Sequence, residues 1–375
     1  MTRSNLPPLR MLAAGLAVAL LAAACADDAA DPTHSTTAGE VTAAVVDAVV
    51  PTRDGDLLDT VIDRGRLVCG VSGTRAVFSQ TQPDGTVVGV DADYCRVVAA
   101  ALFGDAAAVE YVPLTTAERF VALQSGVVDV LFRSSTWTQR RDTELGLDFG
   151  PVIFHDGQQL MARSGDGFST GSGVTDIAGA VVCALAGTTT EQNVSDAAEA
   201  AGIKITLTTF EDFDIIMGNF IGGACDVVTA DGSALAGRKA TQQPDDQQWA
   251  IFPSVPISKE PLAPAYLHNE SRFGDVVNWA VYATIIADEK GVTSANAAAM
   301  AADPPDPEVS RLLGGEGELQ TKMGLAPDAF YEAISQVGNY GEILARHLEP
   351  AGLSRTGSLN AGWPHGGLIY APPAR

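Results

Sequence analysis

The sequence has 375 residues, of which 46 are acidic and 23 basic, and its formal net charge at pH 7 is -23. Such a charge repels nucleic acid and anionic membrane surfaces, so a nucleic-acid-binding function is excluded. Residues 56–375 are too many for one small core and are about right for two lobes.

An apolar run near the amino terminus predicts export. Arg3 and Arg10 precede residues 11–24, which are apolar and end at Cys25. The run is too short to span a membrane and is typical of a secretory signal. It resembles a lipoprotein signal, in which the cysteine becomes the lipidated first residue of the mature protein. Ala22 stands where that pattern prefers leucine, so ordinary cleavage nearby is the alternative.

The residues that follow alternate between strand and helix patterns, after a polar segment over 26–55 that we interpret as a flexible linker. Residues 41–50 within that linker are a candidate short helix. The alternation indicates an α/β fold with parallel strand pairing. The predicted elements of this first unit are a strand at 66–71, a helix at 91–104, a strand at 108–114, a helix at 115–126 and a strand at 128–132.

A second α/β unit follows a long extended crossover at residues 149–162. The chain crosses back at residues 257–267, and two crossings between two lobes predict a hinge, where small ligands are usually held. We therefore expect lobe 1 to contain residues 56–153 and 255–375 and lobe 2 residues 154–254. The predicted elements of the second unit are a strand at 180–185, a helix at 188–202, a strand at 204–210, a helix ending at Gly222 and a strand at 225–231.

The last third of the chain is predicted to be a helical extension that packs on lobe 1. Residues 275–291 are apolar on most faces, and residues 327–338 place apolar side chains at helical spacing. The turn-rich tail, which contains Trp363 and Tyr370, is predicted to be a strap over one lobe.

Four cysteines lie beyond the signal, at positions 69, 95, 183 and 225. An even number in an exported chain favours disulfides, with three possible connectivities. We favour Cys69 with Cys95 and Cys183 with Cys225, because each pair lies within one lobe and near strand ends. Four buried free thiols are the alternative. No Cys-x-x-Cys motif and no histidine pair at ligand spacing is present, so no metal site is predicted.

Residues 119–141 form the most informative segment: an amphipathic helix, a short buried strand and a polar loop ending in two arginines. The hydroxyl groups of Ser134, Thr136 and Thr138 can face one carboxylate, and an arginine can bind it with two hydrogen bonds. A helix predicted from Arg140 onward adds free N–H groups. The segment predicts a site for a small anion; a capped surface helix with solvated arginines is the alternative.

Motifs of common enzymes are absent or out of context. Residues 167–171, Gly-Phe-Ser-Thr-Gly, match the pattern of a serine hydrolase, but they lie in a Gly/Ser/Thr-rich stretch with no strong strand before and no helix after. The sequence has no phosphate-binding Gly-Lys-Ser/Thr loop and no His-Glu metalloprotease motif. We expect no catalytic residues and no cofactor.

Taken together, eight segments resemble the solute-binding proteins of ABC importers, family 3, and within it the general L-amino-acid-binding proteins. The resemblance covers roughly residues 56–375 and implies a two-lobed, periplasmic-binding-protein-like fold of type II with a hinge and a helical C-terminal extension. The segments are GVDADYCRVVAAALFGD, ERFVALQSGVVDVL, STWTQRRDTELGLDF, VCALAGTTTE, CDVVTAD, ISKEPLAP and VGNYGEI with the final GGLIYAPPAR.

The resemblance also implies roles for individual residues. Arg141 resembles the family's carboxylate-binding arginine, with Thr136 and the Thr188–Thr189 turn as further donors; Gly187 lets the backbone approach the ligand. Asp231 is similar to the family's acceptor for the α-ammonium group, assisted by Ser134. An N-cap of the following helix is the alternative role for Asp231.

Side-chain selectivity is where this sequence departs from the family, because Arg75 stands where many members carry an aromatic residue. Arg119 and Arg133 are further cations, so we expect polar or acidic ligand side chains to be tolerated. Phe78 and Trp137 are candidates for an apolar wall; a surface helix position for Arg119 and a core position for Trp137 are the alternatives. Ser72, in the same loop as Arg75, completes the candidate ligand-binding set.

The resemblance implies an exported, monomeric receptor that captures L-amino acids and delivers them to a membrane permease. A lipid anchor at Cys25 would hold it at the membrane. One alternative is an enzyme on the same fold, such as a dehydratase of small carboxylic acids that uses Glu191 or Asp231. Another is the ectodomain of an amino-acid sensor.

Overall fold

The computed structural model describes residues 57–375. The predicted signal, Cys25, the linker and the candidate helix at 41–50 lie outside the described residues. No helix of the described part is both long and apolar enough to cross a membrane.

Five strands form the sheet of lobe 1. Leu67–Val71 pairs in parallel with Val109–Pro113 on one side and Val130–Leu131 on the other. Ala265–Leu267, from the return crossing, is antiparallel to both of its neighbours. The full order across the sheet is Val109–Pro113, Leu67–Val71, Val130–Leu131, Ala265–Leu267 and Leu147–Phe149.

The sheet of lobe 2 repeats this plan. Val181–Leu185 lies between Thr206–Phe210 and Val227–Asp231, parallel to both. Gln158–Arg163 joins antiparallel, although sequence placed those residues in an extended crossover. The full order is Thr206–Phe210, Val181–Leu185, Val227–Asp231, Gln158–Arg163 and Trp249–Phe252.

Two smaller sheets are separate from the main sheets. Phe154–Asp156 pairs antiparallel with Glu260–Leu262, so the two crossings run side by side between the lobes. The loop after the first strand forms a small sheet of Thr74–Arg75, Ser79–Thr81 and Val87–Val88, which gives Arg75 a defined backbone position.

The α-helices cover the faces of both sheets and continue into the C-terminal extension. In lobe 1 they are Leu57–Arg64, Val90–Phe103, Arg119–Gln124 and Gln139–Glu144; in lobe 2 they are Thr189–Ala200, Phe213–Ile221 and Gly232–Gln242. The extension contains Ser271–Glu289, Ala297–Ala302, Pro307–Leu312, Leu319–Lys322, Ala329–Val337 and Tyr340–Leu348.

The extension shares its core with lobe 1. Ser271–Glu289 and Ala329–Val337 both pack on Val90–Phe103, and the apolar positions predicted for the second of them are buried. In the tail, Asn360 exchanges hydrogen bonds with the backbone of His155, in the first crossing. Trp363 and Tyr370 contact each other with ring centroids 6.0 Å apart and remain largely exposed.

The cysteines form the two pairs that the sequence favours. Cys69 is bonded to Cys95 with a Cα separation of 6.1 Å, and Cys183 to Cys225 with a separation of 5.9 Å. Each bond lies within one lobe and ties a central strand to a neighbouring segment. Because Cys69 and Cys183 lie in central strands whose carboxyl ends face the cleft, the bonds help to fix the supports of the candidate site.

Candidate functional site

A cavity of about 180 Å³ lies between the lobes and is lined by both of them. The carboxyl ends of the parallel strands point into it, which is the usual position for ligands in open α/β sheets. Ten of the eleven candidate ligand-binding residues line this cavity: Ser72, Arg75, Arg119, Arg133, Ser134, Thr136, Arg141, Thr188, Thr189 and Asp231.

Phe78 is the exception. Its ring is fully buried beneath the guanidinium group of Arg75, 5.9 Å from ring centroid to Cζ, and packs edge-on against Phe154. It therefore supports Arg75 instead of facing the cavity. Trp137 is also outside the cavity lining and outside the core: it is 43% exposed and stacks on Phe149.

The wall from lobe 1, which we call the arginine wall, carries Arg75, Arg119, Arg133 and Arg141. Burial is the largest cause of a lowered pKa for three of them: Arg119 well below its usual value, Arg133 to about 9 and Arg141 to about 10. For Arg119 and Arg133, nearby arginines lower the pKa further. The four guanidinium groups of this largely buried wall repel one another, so binding of an anion there is strongly favourable.

The arginines differ in how well their own hydrogen bonds are satisfied. Arg133 is held by the Leu114 carbonyl at 2.9 Å and the Thr116 hydroxyl at 3.2 Å. Arg141 donates from Nη1 to the Thr136 carbonyl at 2.7 Å.

Arg119 is the least satisfied of the four. Its one hydrogen bond runs from Nη2 across the cleft to the Gly187 carbonyl, at 3.4 Å, and Nε has no partner among residues 57–375. Its guanidinium group lies over the ring of Phe120, with Cζ 4.5 Å from the centroid, and it is almost completely buried. The surface helix position considered from sequence is therefore wrong for Arg119.

The facing wall from lobe 2, which we call the acidic wall, is centred on Asp231 at the end of a buried strand. Asp231 forms an ion pair with Arg75 across the cleft. Its side chain does not cap the helix that begins at Gly232, so the alternative N-cap role is not adopted. Burial raises the pKa of Asp231, and Arg75 opposes that shift.

Asp156, in the first crossing, lies close enough to Asp231 for the two carboxylates to influence each other. Burial first and the charge of Asp231 second raise the pKa of Asp156 to about 7. Ser233 donates to one of its oxygens and the Gly157 N–H to the other, at 2.9 Å for the latter. Two buried carboxylates so placed favour a cation between the walls.

Thr188 precedes the helix Thr189–Ala200, and the start of this helix, which carries partial positive charge, lines the cavity. Thr188 caps this helix by accepting from the Glu191 N–H at 3.1 Å. Gly187 forms the preceding turn with a φ of 70°, a conformation that favours glycine.

Glu260, in the return crossing, is a residue that sequence reasoning missed. Its Oε2 accepts from the hydroxyl of Thr136 at 2.6 Å and from that of Thr189 at 2.9 Å, so one buried carboxylate joins the two walls. Each hydroxyl has a single proton, and here both are directed at Glu260. An acidic residue in the return crossing, directly before the apolar stretch PLAPAYL, was the signal that could have identified it.

Ser134 has a φ of 45° and donates from its hydroxyl to Asp91 at 2.7 Å. Burial raises the pKa of Asp91 to about 6. Because the proton of Ser134 is used in this contact, the oxygen remains able to accept a hydrogen bond from a cation.

Arg238 and Phe213 also line the cavity and were not predicted. Arg238 pairs with Asp214 and reaches across the cleft to the Thr74 carbonyl. Its guanidinium group lies over the ring of Phe213, with Cζ 5.3 Å from the centroid. Both residues lie in helices of lobe 2, and the approach of these helices to the Arg75 loop depends on how the lobes meet.

Two other features lie outside the cavity lining. Ser169, of the hydrolase-like pattern, lies in a loop where its hydroxyl accepts from the Gly171 N–H at 3.2 Å. Among residues 57–375, one cluster has donor atoms close enough to surround a cation: Asp142, Asp148 and His268, with His268 Nε2 3.4 Å from Asp148 Oδ1.

Comparison with known proteins places this geometry in a family. The profile described as bacterial extracellular solute-binding proteins, family 3, matches residues 67–348. The glutamate/glutamine/aspartate/asparagine-binding protein BztA of Rhodobacter capsulatus is 43% identical over 321 residues, which is 85% of this chain and 93% of that protein.

Two further relatives agree. The general L-amino acid-binding periplasmic protein AapJ of Rhizobium johnstonii is 39% identical over 323 residues, 85% of this chain and 92% of that protein. A periplasmic binding protein of an ABC transporter from Brucella ovis, solved with glutathione bound, has a TM-score of 0.81 and 41% identity, and the match covers 86% of this chain and all of that one. These relatives are binding proteins by name, which supports a receptor and not an enzyme.

Proposed function

This chain belongs to the bacterial extracellular solute-binding proteins of family 3, and we propose that it captures L-amino acids outside the cytoplasm for an ABC importer. The observation that carries the proposal is the pair of oppositely charged walls. A free amino acid is a zwitterion, and a cleft with guanidinium groups on one side and a buried carboxylate on the other matches both of its charges.

The α-carboxylate would lie against Arg141 on the arginine wall. Arg141 is almost fully buried, and one of its nitrogens is committed to the Thr136 carbonyl, which fixes the plane of the guanidinium group. The start of the helix at Thr189, together with the Thr188 turn, would supply N–H donors from the facing lobe. On ligand binding, the hydroxyl groups of Thr136 and Thr189 would donate to the α-carboxylate instead of to Glu260.

The α-ammonium group would lie against Asp231, with the oxygen of Ser134 as a second acceptor. Asp231 is buried at a strand end, and Ser134 keeps its lone pairs available because its proton is donated to Asp91. An ammonium group offers three donors, which fits two acceptors and a further polar contact.

Binding both charges of one ligand would hold the two lobes together. Arg141 and Ser134 belong to lobe 1, whereas Thr189 and Asp231 belong to lobe 2. A ligand that bridges them has higher affinity for the closed form than for the open form, so it shifts the population towards closure. The paired, antiparallel crossings Phe154–Asp156 and Glu260–Leu262 would act as the hinge, and the closed form would be recognised by the permease.

The range of ligands would be broad, with polar and acidic side chains accepted. The rest of the cavity lining includes Arg75, Arg119 and Arg133, with apolar surface from Phe213 among others. Arginine side chains bind carboxylates and amides well and bind aliphatic groups poorly. BztA, by its name, binds both acidic amino acids and both of their amides.

We further propose that the mature protein is a monomer anchored by a lipid on Cys25. The apolar run before this cysteine supports the anchor. A single acyl group gives only weak membrane binding, so a stable anchor requires more than one chain. Mass spectrometry of the amino-terminal peptide from membranes would show a diacylated or triacylated cysteine. An unmodified peptide that begins near Cys25 would contradict the anchor.

A thermal-shift screen of the protein without its signal tests the proposed function. The compounds are the common L-amino acids, their D-forms, sugars and small organic acids. A ligand at 100 times its Kd should add about 2.7 kcal/mol to the free energy of unfolding. Shifts with several L-amino acids and with none of their deaminated acids are expected; shifts with organic acids alone would contradict the proposal.

A further inference from the structure

A cation of the protein itself occupies the place proposed for the ligand's ammonium group. Arg75, from the loop after the first strand, pairs through Nη2 with Asp231 on the opposite wall. Both side chains are largely buried, and the Nε of Arg75 has no partner among residues 57–375. The same oxygen of Asp231 cannot bind Arg75 and an incoming ammonium group equally well.

The charges around this pair explain why Arg75 sits there. Asp231 and Asp156 are two buried carboxylates that repel each other, and Arg75 lowers the pKa of both. Removing Arg75 without a replacement would leave a buried negative charge uncompensated. An α-ammonium group is the replacement, because it brings one positive charge and suitable donors to the same carboxylate.

Displacement of Arg75 from Asp231 adds an unpaired positive charge to the arginine wall. A released Arg75 returns to a wall that already holds Arg119, Arg133 and Arg141, all buried. Arg133 is satisfied by Leu114 and Thr116, but Arg119 keeps an unpartnered Nε. Two incompletely paired guanidinium groups in one wall are unfavourable unless an anion joins them.

We propose that Arg75 is an exchangeable internal cation that selects acidic amino acids: the ligand's α-ammonium group takes Asp231 from Arg75, and Arg75 with Arg119 then binds the ligand's side-chain carboxylate. This inference rests on the proposed function and adds a substrate class to it. An acidic ligand compensates both charges that the exchange exposes. A neutral ligand compensates only Asp231 and leaves Arg75 without an anion.

One feature of the site offers a competing destination for the released arginine. Asp91 is buried beside Ser134, and its Oδ1 has no partner among residues 57–375. If Arg75 moved to Asp91 on ligand binding, it would make no contact with the ligand's side chain. Loss of Arg75 would then alter the affinity for all amino acids by the same factor.

The test is calorimetric titration of L-glutamate and L-glutamine into the unaltered protein and into Arg75→Gln. In the variant we expect the affinity for glutamate to fall about tenfold to a hundredfold, the range for one hydrogen-bonded charge pair. The affinity for glutamine should stay the same or rise, because the internal competitor is gone. Arg75→Lys keeps the positive charge but lacks the planar guanidinium group. Its ratio of glutamate affinity to glutamine affinity should therefore lie between those of the unaltered protein and Arg75→Gln.

The matched control is Arg66→Gln. Arg66 precedes the first strand of lobe 1 at its opposite end, where it pairs with Glu110 on the surface, so its loss removes one positive charge far from the cleft. This variant should leave both affinities unchanged. Thermal unfolding of all variants checks that they are folded.

The possible results distinguish a failure of the proposed function from a failure of the Arg75 exchange alone. If the unaltered protein binds neither ligand, the proposed function is wrong and the exchange with it. If both ligands bind and Arg75→Gln changes both affinities by the same factor, or changes neither, only the exchange is wrong. Binding of glutarate as tightly as glutamate would overturn the contact between the α-ammonium group and Asp231, and the exchange with it, because that acid has no amine.

Discussion

The two walls of the cleft are built from similar α/β units but have opposite chemistry. The arginine wall is a cluster of cations on loops and helix ends of lobe 1, with Arg119 incompletely paired. The acidic wall presents Asp231 from a strand end of lobe 2, with Asp156 behind it. Groups of like charge lie close together within each wall, which is electrostatically unfavourable. Groups of opposite charge face each other across the cleft.

This difference shows how closure can depend on a ligand. Within lobe 1, Asp91 and Glu118 offset part of the repulsion among the arginines. The rest is relieved by charge from the opposite lobe or from a bound molecule. Contacts such as Arg75–Asp231 supply some of it without ligand. A zwitterion supplies more, because it offers one charge to each wall simultaneously.

The largest expected effect comes from breaking the arginine wall at Arg141. Arg141→Ala removes the partner of the α-carboxylate, a group that all amino acids share, so binding of every amino acid should fall by about 1000-fold or more. Arg140→Ala is the matched control, since Arg140 is the exposed neighbour that pairs with Glu144. Normal binding by Arg141→Ala in titration calorimetry would place the pocket elsewhere.

Each wall is supported by one disulfide, and the contributions of the two bonds to the free energy of unfolding can be compared. On a chain-entropy model, the Cys183–Cys225 bond, which spans 42 residues, should add about 4 kcal/mol to the free energy of unfolding. The Cys69–Cys95 bond, which spans 26, should add about 3.5 kcal/mol. Paired Cys→Ser variants compared by urea unfolding measure both values. A loss below about 1 kcal/mol in either pair would show that the core alone holds that wall.

Breaking the acidic wall at Asp231 should have a somewhat smaller effect on binding. Asp231→Asn keeps a hydrogen-bond acceptor but removes the charge, so affinity for amino acids should fall about 100-fold. The exposed Asp246 provides a control for the same substitution in lobe 2. An equal loss in Asp246→Asn would mean that overall charge, not the ammonium contact, is responsible.

The last effect concerns the stability of the protein, not its affinity, and is the pH dependence that Asp156 contributes. Its pKa is raised by burial to about 7 in the folded protein, so the folded state binds more protons than the unfolded state between pH 4 and 7. The free energy of unfolding should therefore decrease as pH rises through this window. Asp156→Asn should flatten that decrease, measured by urea unfolding at both ends of the window. An unchanged slope would show that Asp156 is charged throughout.

Residues that carry the cleft's chemistry were predictable from sequence when a local pattern marked them. Arg141 follows a buried strand and a hydroxyl-rich loop, and Thr189 begins a helix after a glycine turn. Both family resemblance and local chemistry therefore identified them. The parallel strands and both disulfide pairs were identified for the same reason, since periodicity and proximity to strand ends are local signals.

Contacts between distant segments were not predictable. Glu260 joins Thr136 and Thr189 from positions 124 and 71 residues away in the chain. The pairing of Arg75 with Asp231 spans 156 residues. The strand Gln158–Arg163 was also missed, because an antiparallel strand in a crossover has no pattern to distinguish it from an extended connection. Each of these depends on how the two lobes meet.

The central claim is that the arginine wall and the acidic wall each bind one end of a zwitterion. Titration calorimetry with L-glutamate, glutarate and 4-aminobutyrate tests it directly, because glutarate lacks the amine and 4-aminobutyrate lacks the α-carboxylate. We predict tight binding of L-glutamate alone, with both analogues weaker by about 100-fold or more. Glutarate or 4-aminobutyrate binding as tightly as L-glutamate would contradict the claim.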